Sequence, residues 1–90
     1  MRKIVYLPIL RRDQRRILKR GKEVEKLLQT VFLLATQGAL PARYRPHKLH
    51  GVYSGYWECH MEADWLLIYA LTRDEVIIVC TGTHDDLFEN

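Results

Sequence analysis

Six apolar residues, Val24, Leu27, Leu28, Val31, Leu34 and Ala35, recur at intervals of three and four. That spacing stacks them on one side of a helix of 3.6 residues per turn, and predicts an amphipathic helix ending at Gln37-Gly38. A helix with a single apolar stripe has to bury it against another element, and the rest of the chain supplies strands for the purpose. Residues 3–6 read as a short strand bounded by Pro8. Residues 9–20 read as a first helix, with Leu10, Ile17 and Leu18 on its core edge and Gly21 as its stop.

The second half is a series of strands. Residues 38–46 hold Gly38, Pro41 and Pro46 and form a loop, and residues 47–50 form a short edge strand. Over residues 56–61 the chain alternates: Trp57, Cys59 and Met61 point one way, Tyr56, Glu58 and His60 the other. Residues 62–64 make a tight turn, 65–71 a strand, 72–74 a hairpin turn, and 75–81 the most apolar and therefore central strand. Residues 84–88 close with one helical turn. The expected fold is α+β over a single domain of residues 1–90, an N-terminal strand and two helices packed on one face of an antiparallel sheet. The opposite face is expected to carry Tyr56, His60 and Tyr69, with His84 and Phe88 at its rim.

Composition narrows the function classes. The chain is 48% apolar and 28% charged, in the range of folded proteins. Its longest apolar run, residues 76–80, is too short to span a bilayer, and the N-terminus lacks a signal core, so no membrane partner is expected and the location is cytoplasmic. Two cysteines, Cys59 and Cys80, lie in apolar segments and read as reduced, buried thiols. Charge is divided unevenly. Residues 1–49 hold 13 Lys and Arg against three acids, whereas residues 50–90 hold one Arg against eight acids. On the first helix Arg11, Arg15 and Lys19 form one column and Arg12, Arg16 and Arg20 a second. Such a face suits a polyanion or an acidic protein partner.

The remaining polar chemistry gathers at strand ends and turns: His47, His60, Asp64 and His84. Cleaving RNA without a metal needs a base for the ribose 2′-hydroxyl, an acid for the leaving 5′-oxygen, and cations for the charge on phosphorus. The three imidazoles suit the proton transfers, Asp64 can orient one of them, and Arg43 or Arg45 can pair with phosphate. Taken singly each is weak evidence: a lone histidine is most often structural, Asp64 is an ordinary turn former, and Trp65 and Phe88 are ordinarily core. Phe88, so near the C-terminus, also suits a base-stacking platform. Possible metal ligands, His47 with His50 or Cys80 with His84, sit on separate elements without any Cys-x-x-Cys pair, so neither metal nor cofactor is expected.

Three segments carry a family likeness: His47-Lys48-Leu49-His50-Gly51, the run from Gly55 to Tyr69, and Thr81-Gly82-Thr83-His84-Asp85-Asp86-Leu87-Phe88. Together they resemble the YafQ branch of the RelE/ParE toxin superfamily. The resemblance implies a RelE-like, microbial-ribonuclease-like fold. It also implies a type II toxin that cleaves translated mRNA in the ribosomal A site without a metal, neutralised by a DinJ-like antitoxin. It places function on His47, His60, Asp64, His84 and Phe88, with Trp65 among the RNA and ribosome contacts. In this reading His84 donates the proton to the leaving group, His47 and His60 share base and phosphate contacts, Asp64 supports them, and Phe88 places the nucleotide. The ribosome contacts expected from charge are Arg11, Arg12, Arg15, Arg16, Lys19, Arg20, Arg43 and Arg45. A ParE-like gyrase poison of the same fold would need none of these histidines. A binding module without activity is favoured only by Cys80, which stands where many relatives carry Arg; His50 stands where Gln is common.

Overall fold

In a computed structural model, which describes residues 1–88 and the side chains of residues 1–87, a five-stranded sheet carries two helices. The elements run β1 (Lys3–Tyr6), α1 (Leu10–Lys19), α2 (Val24–Gln37), β2 (His47–Lys48), β3 (Trp57–Glu62), β4 (Trp65–Leu71), β5 (Glu75–Gly82) and α3 (His84–Phe88). Short 3-10 turns occupy Ala42–Tyr44 and Gly51–Tyr53.

Strand order is β1-β5-β4-β3-β2, so β4 rather than β5 is the middle strand, although β5 is interior and paired on both sides. Strands β2 to β5 are antiparallel, as their tight turns require. β1 joins this antiparallel sheet at its edge and runs parallel to β5, with Lys3 opposite Glu75 and Tyr6 opposite Ile78. The two helices make the crossover that a parallel pair needs, and sequence periodicity contains no record of it.

The stripe of α2 is buried as its spacing requires, through Leu27, Val31, Leu34 and Ala35. These pack with Cys59, Trp65, Leu67, Tyr69, Val76 and Ile78 of the sheet. Each such side chain removed from water contributes about 1.5–3 kcal/mol before entropy is counted. Leu28 is exposed. Tyr69 lies in this core, stacked on Trp57 with ring centroids 6.3 Å apart, and not on the open face.

On α1 the core edge is Leu10, Asp13 and Ile17, spaced i, i+3 and i+7, while Leu18 is 58% exposed. The acid therefore occupies the position expected of Leu18. Asp13 is 1% exposed and accepts hydrogen bonds from the Thr81 backbone N–H (3.2 Å) and the Arg16 guanidinium (2.9 Å). A buried carboxylate is costly unless paired and bonded in this way, and here it ties α1 to the end of β5.

Candidate active site

β2 and β3 pair so that His47 faces Glu58 directly across the strands. On β3 the alternation sends Trp57, Cys59 and Met61 to the core side and leaves Glu58 and His60 with opposite parity. A register irregularity between His60 and Glu62 then resets the pattern. Glu62 pairs across to Trp65 and reaches Lys22 and Lys26, each at 2.7 Å, at the entry to α2. This extra residue aims His60 and Glu62 at different partners, the usual effect of a bulge beside a site.

Three imidazoles form a row: the His47 and His60 ring centroids are 6.2 Å apart, and those of His60 and His84 5.9 Å apart. Glu58 sits at one end, its side chain only 7% exposed. Its Oε1 lies 3.3 Å from His47 Nε2 and 3.7 Å from His60 Nε2. Arg45 holds both rings from the other side. Its carbonyl oxygen is 3.0 Å from His47 Nδ1, and its guanidinium is 3.4 Å from His60 Nδ1. A carbonyl only accepts and a guanidinium only donates, which fixes the protons. His47 carries one on Nδ1; neutral His60 carries its own on Nε2, directed toward Glu58. To make both contacts Arg45 takes a left-handed backbone, φ 47°, immediately before Pro46, a strained conformation for a residue with a side chain. Burial, and then the Arg45 charge, push His60 below the ordinary histidine pKa, outweighing the Ala63 backbone and Glu58. The ring is neutral at pH 7 and able to accept a proton.

At the other end of the row Asp64, from the β3–β4 turn, holds His84. Its Oδ1 accepts from the His84 backbone N–H at 3.0 Å and from the ring Nδ1 at 2.8 Å. These two bonds, in that order, hold the Asp64 carboxyl below its usual range.

α3, which carries His84, is docked by Asp86. The Asp86 carboxylate accepts from the Thr83 backbone N–H (3.0 Å) and from Arg20 (2.8 Å), with Arg16 Nε at 3.4 Å, while the Asp86 N–H donates to Thr83 Oγ1 (3.2 Å). Gly82 makes room for it, since a Cβ there would sit 2.8 Å from Asp86 Cβ.

The structure thus brings together His47, His60, Asp64 and His84, and sets Arg45 against two of them. It also separates residues that sequence grouped. Trp65 is 1% exposed, and its indole N–H donates to Thr81 Oγ1 at 2.9 Å, which donates in turn to the Leu66 carbonyl at 2.6 Å. Buried in this way it has no face for RNA, which corrects its placement among the contact residues. Arg16 is paired with Asp13 and half-buried; Arg20 is paired with Asp86 but remains exposed, as are Arg11, Arg12, Arg15 and Lys19. Arg43 lies over the Tyr44 ring, 4.9 Å from its centroid, beside a cleft of about 210 Å³ that also touches Lys26 and His60. The Phe88 side chain lies outside the described residues. Glu58 was missed. Its signal was present, a carboxylate two residues before a histidine on the same strand face. Cys80 is a partly buried thiol, raised to about 11 by burial first and the Asp13 charge second, and it supplies no cation; buried Cys59 is raised to about 12, again chiefly by burial.

Residues 2–89 match the family model described as the bacterial toxin of type II toxin-antitoxin system, YafQ. The chain belongs to the YafQ family. The mRNA interferase toxin YafQ of Escherichia coli (strain K12) is 40% identical over 88 residues, 97% of this chain and 96% of that one. YafQ in the crystal structure of the E. coli DinJ-YafQ toxin-antitoxin complex superposes with a TM-score of 0.88 at 40% identity, covering 97% of each chain. A metal-bound toxin from Helicobacter pylori superposes with a TM-score of 0.88 at 30% identity, covering 98% of this chain and all of that one. The α+β arrangement is therefore that of YafQ toxins.

Proposed function

We propose that this YafQ-family toxin is a ribosome-dependent endoribonuclease that cleaves translated mRNA in the cytoplasm, acting as one 90-residue domain held in check by a DinJ-like antitoxin. The observation that carries the reading is the row His47–His60–His84, with a carboxylate beside the rings at each end. Two hydrogen-bond lengths add to about 6 Å, so a phosphodiester lying between adjacent rings can touch both.

Cleavage follows from that placement. Neutral His60 takes the proton of the ribose 2′-hydroxyl on Nδ1 as the Arg45 guanidinium turns from that nitrogen to the phosphate, with His47 beside it, and the oxygen attacks the adjacent phosphorus. The bond from phosphorus to the 5′-oxygen breaks as protonated His84 delivers its Nε2 proton to that oxygen, leaving a 2′,3′-cyclic phosphate and a free 5′-hydroxyl. Asp64 keeps Nδ1 of His84 protonated and turns Nε2 toward the leaving group. Arg45, already against His60, brings a cation to the row in place of the one that Cys80 lacks. Arg43 and the exposed cations of α1 contact the ribosome, and Phe88 stacks on the nucleotide.

Primer extension on a defined mRNA tests this, with wild type and His84→Ala added to translating ribosomes or to naked RNA. Cuts only on ribosomes, reduced at least about 10²-fold in the variant, are expected. Equal cutting of naked RNA would overturn the ribosome dependence. Intact RNA in both settings with folded wild-type protein would leave the inactive binding module, and Cys80→Arg would be the variant to restore cleavage.

A further inference from the structure

We propose that the cleft between α2, the Ala42–Tyr44 turn and β3 is a nucleotide subsite on the 5′ side of the scissile bond. The base of that nucleotide stacks on Arg43 and meets Gln29, and its own 5′-phosphate pairs with Lys26. The choice of side rests on the catalytic reading above; the binding of a single-stranded nucleotide rests on the cleft itself.

The cleft exists because β2 is short. Its two residues pair with Glu58 and Trp57 only, so β3 runs on past its partner through His60 and Met61. The gap at that edge is bounded by α2 and by the Ala42–Tyr44 turn and holds about 210 Å³. Drug-sized ligands occupy about 300 Å³ or more, so this space suits one base or one phosphate group.

Its walls divide the work of holding a nucleotide. Lys26, Gln29 and Thr30 stand at i, i+3 and i+4 on α2 and share one face. Thr30 is buried and its hydroxyl donates to the Lys26 carbonyl at 2.8 Å. Gln29 is exposed, and its amide offers a base edge both a donor and an acceptor. Arg43 is exposed but held: its guanidinium carbon lies 4.9 Å from the centroid of the buried Tyr44 ring, and one nitrogen 3.5 Å from the Tyr44 hydroxyl. A planar cation backed on one side by a ring presents its other side to a base. Single-stranded RNA is recognised by such stacking together with hydrogen bonds to base edges. Lys26 supplies a point charge. Glu62 accepts from it at 2.7 Å but accepts equally from Lys22, so two ammonium groups share one carboxylate and keep a net positive charge. The bond to Glu62 raises Lys26 above the ordinary lysine pKa, and it is charged at pH 7.

Polarity follows from the histidine row. The cleft touches His60, which takes the 2′-hydroxyl proton, whereas His84 serves the 5′-oxygen at the other end. The attacking ribose belongs to the nucleotide on the 5′ side of the broken bond, so that nucleotide lies at the mouth of the cleft. The ribosome contact expected of Arg43 becomes, more narrowly, a contact to the mRNA held there.

The test separates binding from cleavage. The full-length chain is titrated with a 2′-O-methyl RNA trinucleotide, which cannot be cut, and followed by NMR. Saturable shifts of the Gln29 side-chain amide and the Arg43 Nε–H are expected, with affinity lowered about tenfold by Arg43→Ala. This readout stands even if the chain proves not to cut RNA. Shifts confined to the histidines and α1, or affinity unchanged in both Arg43→Ala and Gln29→Ala, overturn the subsite. A hexaglutamate peptide that shifts these groups where the trinucleotide does not would assign the cleft to an acidic protein and overturn it equally. On ribosomes, with mRNA randomised on both sides of the cut, Arg43→Ala should raise KM about tenfold and change kcat less than about twofold. Gln29→Ala should flatten the base preference on the 5′ side of the cut about tenfold. A change on the 3′ side instead overturns the polarity. Lys26→Ala should lower kcat/KM for every sequence alike. Glu62→Gln breaks the same ion pair and should not; an equal loss would overturn the phosphate contact. Lys26, Gln29 and Arg43 are all exposed or half-buried, so these substitutions leave the core intact.

Discussion

The two acid–imidazole groups of this site solve the same problem in opposite ways. Glu58 is a desolvated carboxylate shared by His47 and His60, and Arg45 braces both rings from the far side. Asp64 is 62% exposed and serves His84 alone, through one oxygen that takes both a ring and a backbone proton. The first group lies within paired strands and inherits their rigidity. The second joins a turn to a five-residue helix, so its geometry is only as good as the docking of α3. In the mechanism proposed above, the buried carboxylate stands at the base end of the row and the exposed one at the acid end, on the rim. The comparison teaches that precision at the rim has to be supplied from elsewhere, and here it comes from α1 through Asp86.

The largest break is expected at Asp64. Asp64→Ala removes both anchors of His84 and should lower the single-turnover cleavage rate about 10²-fold, with little change in melting temperature because the carboxylate is exposed. Asp64→Asn keeps an acceptor oxygen without the charge and should fall between. If alanine and asparagine lose equal rate, charge rather than orientation is what Asp64 contributes.

Next is Asp86, which touches no reacting atom. Asp86→Ala strips the Thr83 N–H and the Arg20 guanidinium of their acceptor and Arg16 of one of its two ion-pair partners, an expected loss of about 1–3 kcal/mol in the docking of α3. The NMR signals of His84 should broaden or shift, while those of His47 and His60 stay in place. Movement of all three would show that the two groups are not mechanically separate. Gly82→Ala should act in the same direction by crowding Asp86.

Trp65 gives a smaller and different contrast, since it belongs to the core beneath both groups. Trp65→Phe deletes the donor to Thr81 and should cost about 1–2 kcal/mol in chemical denaturation, leaving RNA and ribosome affinity unchanged. Lost affinity in a folded variant would return Trp65 to the contact surface. The residue marks where sequence reading ends. Local periodicity exposed the α2 stripe and the β3 alternation, because each depends on neighbours within a few residues. The Thr-Gly-Thr-His turn was legible for the same reason. By contrast, the burial of Trp65 depends on Thr81, sixteen residues on, and the parallel seat of β1 on a partner more than seventy residues away. Asp13 stood on the apolar stripe of α1, but only its distant bond to Thr81 explains an acid there. Glu58 became meaningful once β2 brought His47 across from it.

The smallest effect should come from Glu62, which lies between His60 and Asp64 on the hairpin that carries both groups. Lys22 first, and then Lys26, hold its carboxyl below the usual glutamate range. A carboxyl whose folded pKa is depressed contributes stability that is present above its unfolded value, about 4.3, and lost as pH falls through the folded value. Glu62→Gln should therefore destabilise by less than about 1 kcal/mol at pH 7, as partly exposed pairs do, and the gap from wild type should close on acidification below pH about 4. High salt should narrow it as well. Because one hairpin bears both groups, the substitution should disturb His60 and His84 to a similar small degree. A shift confined to one of them would show that the hairpin is not the rigid link between the two ends of the row.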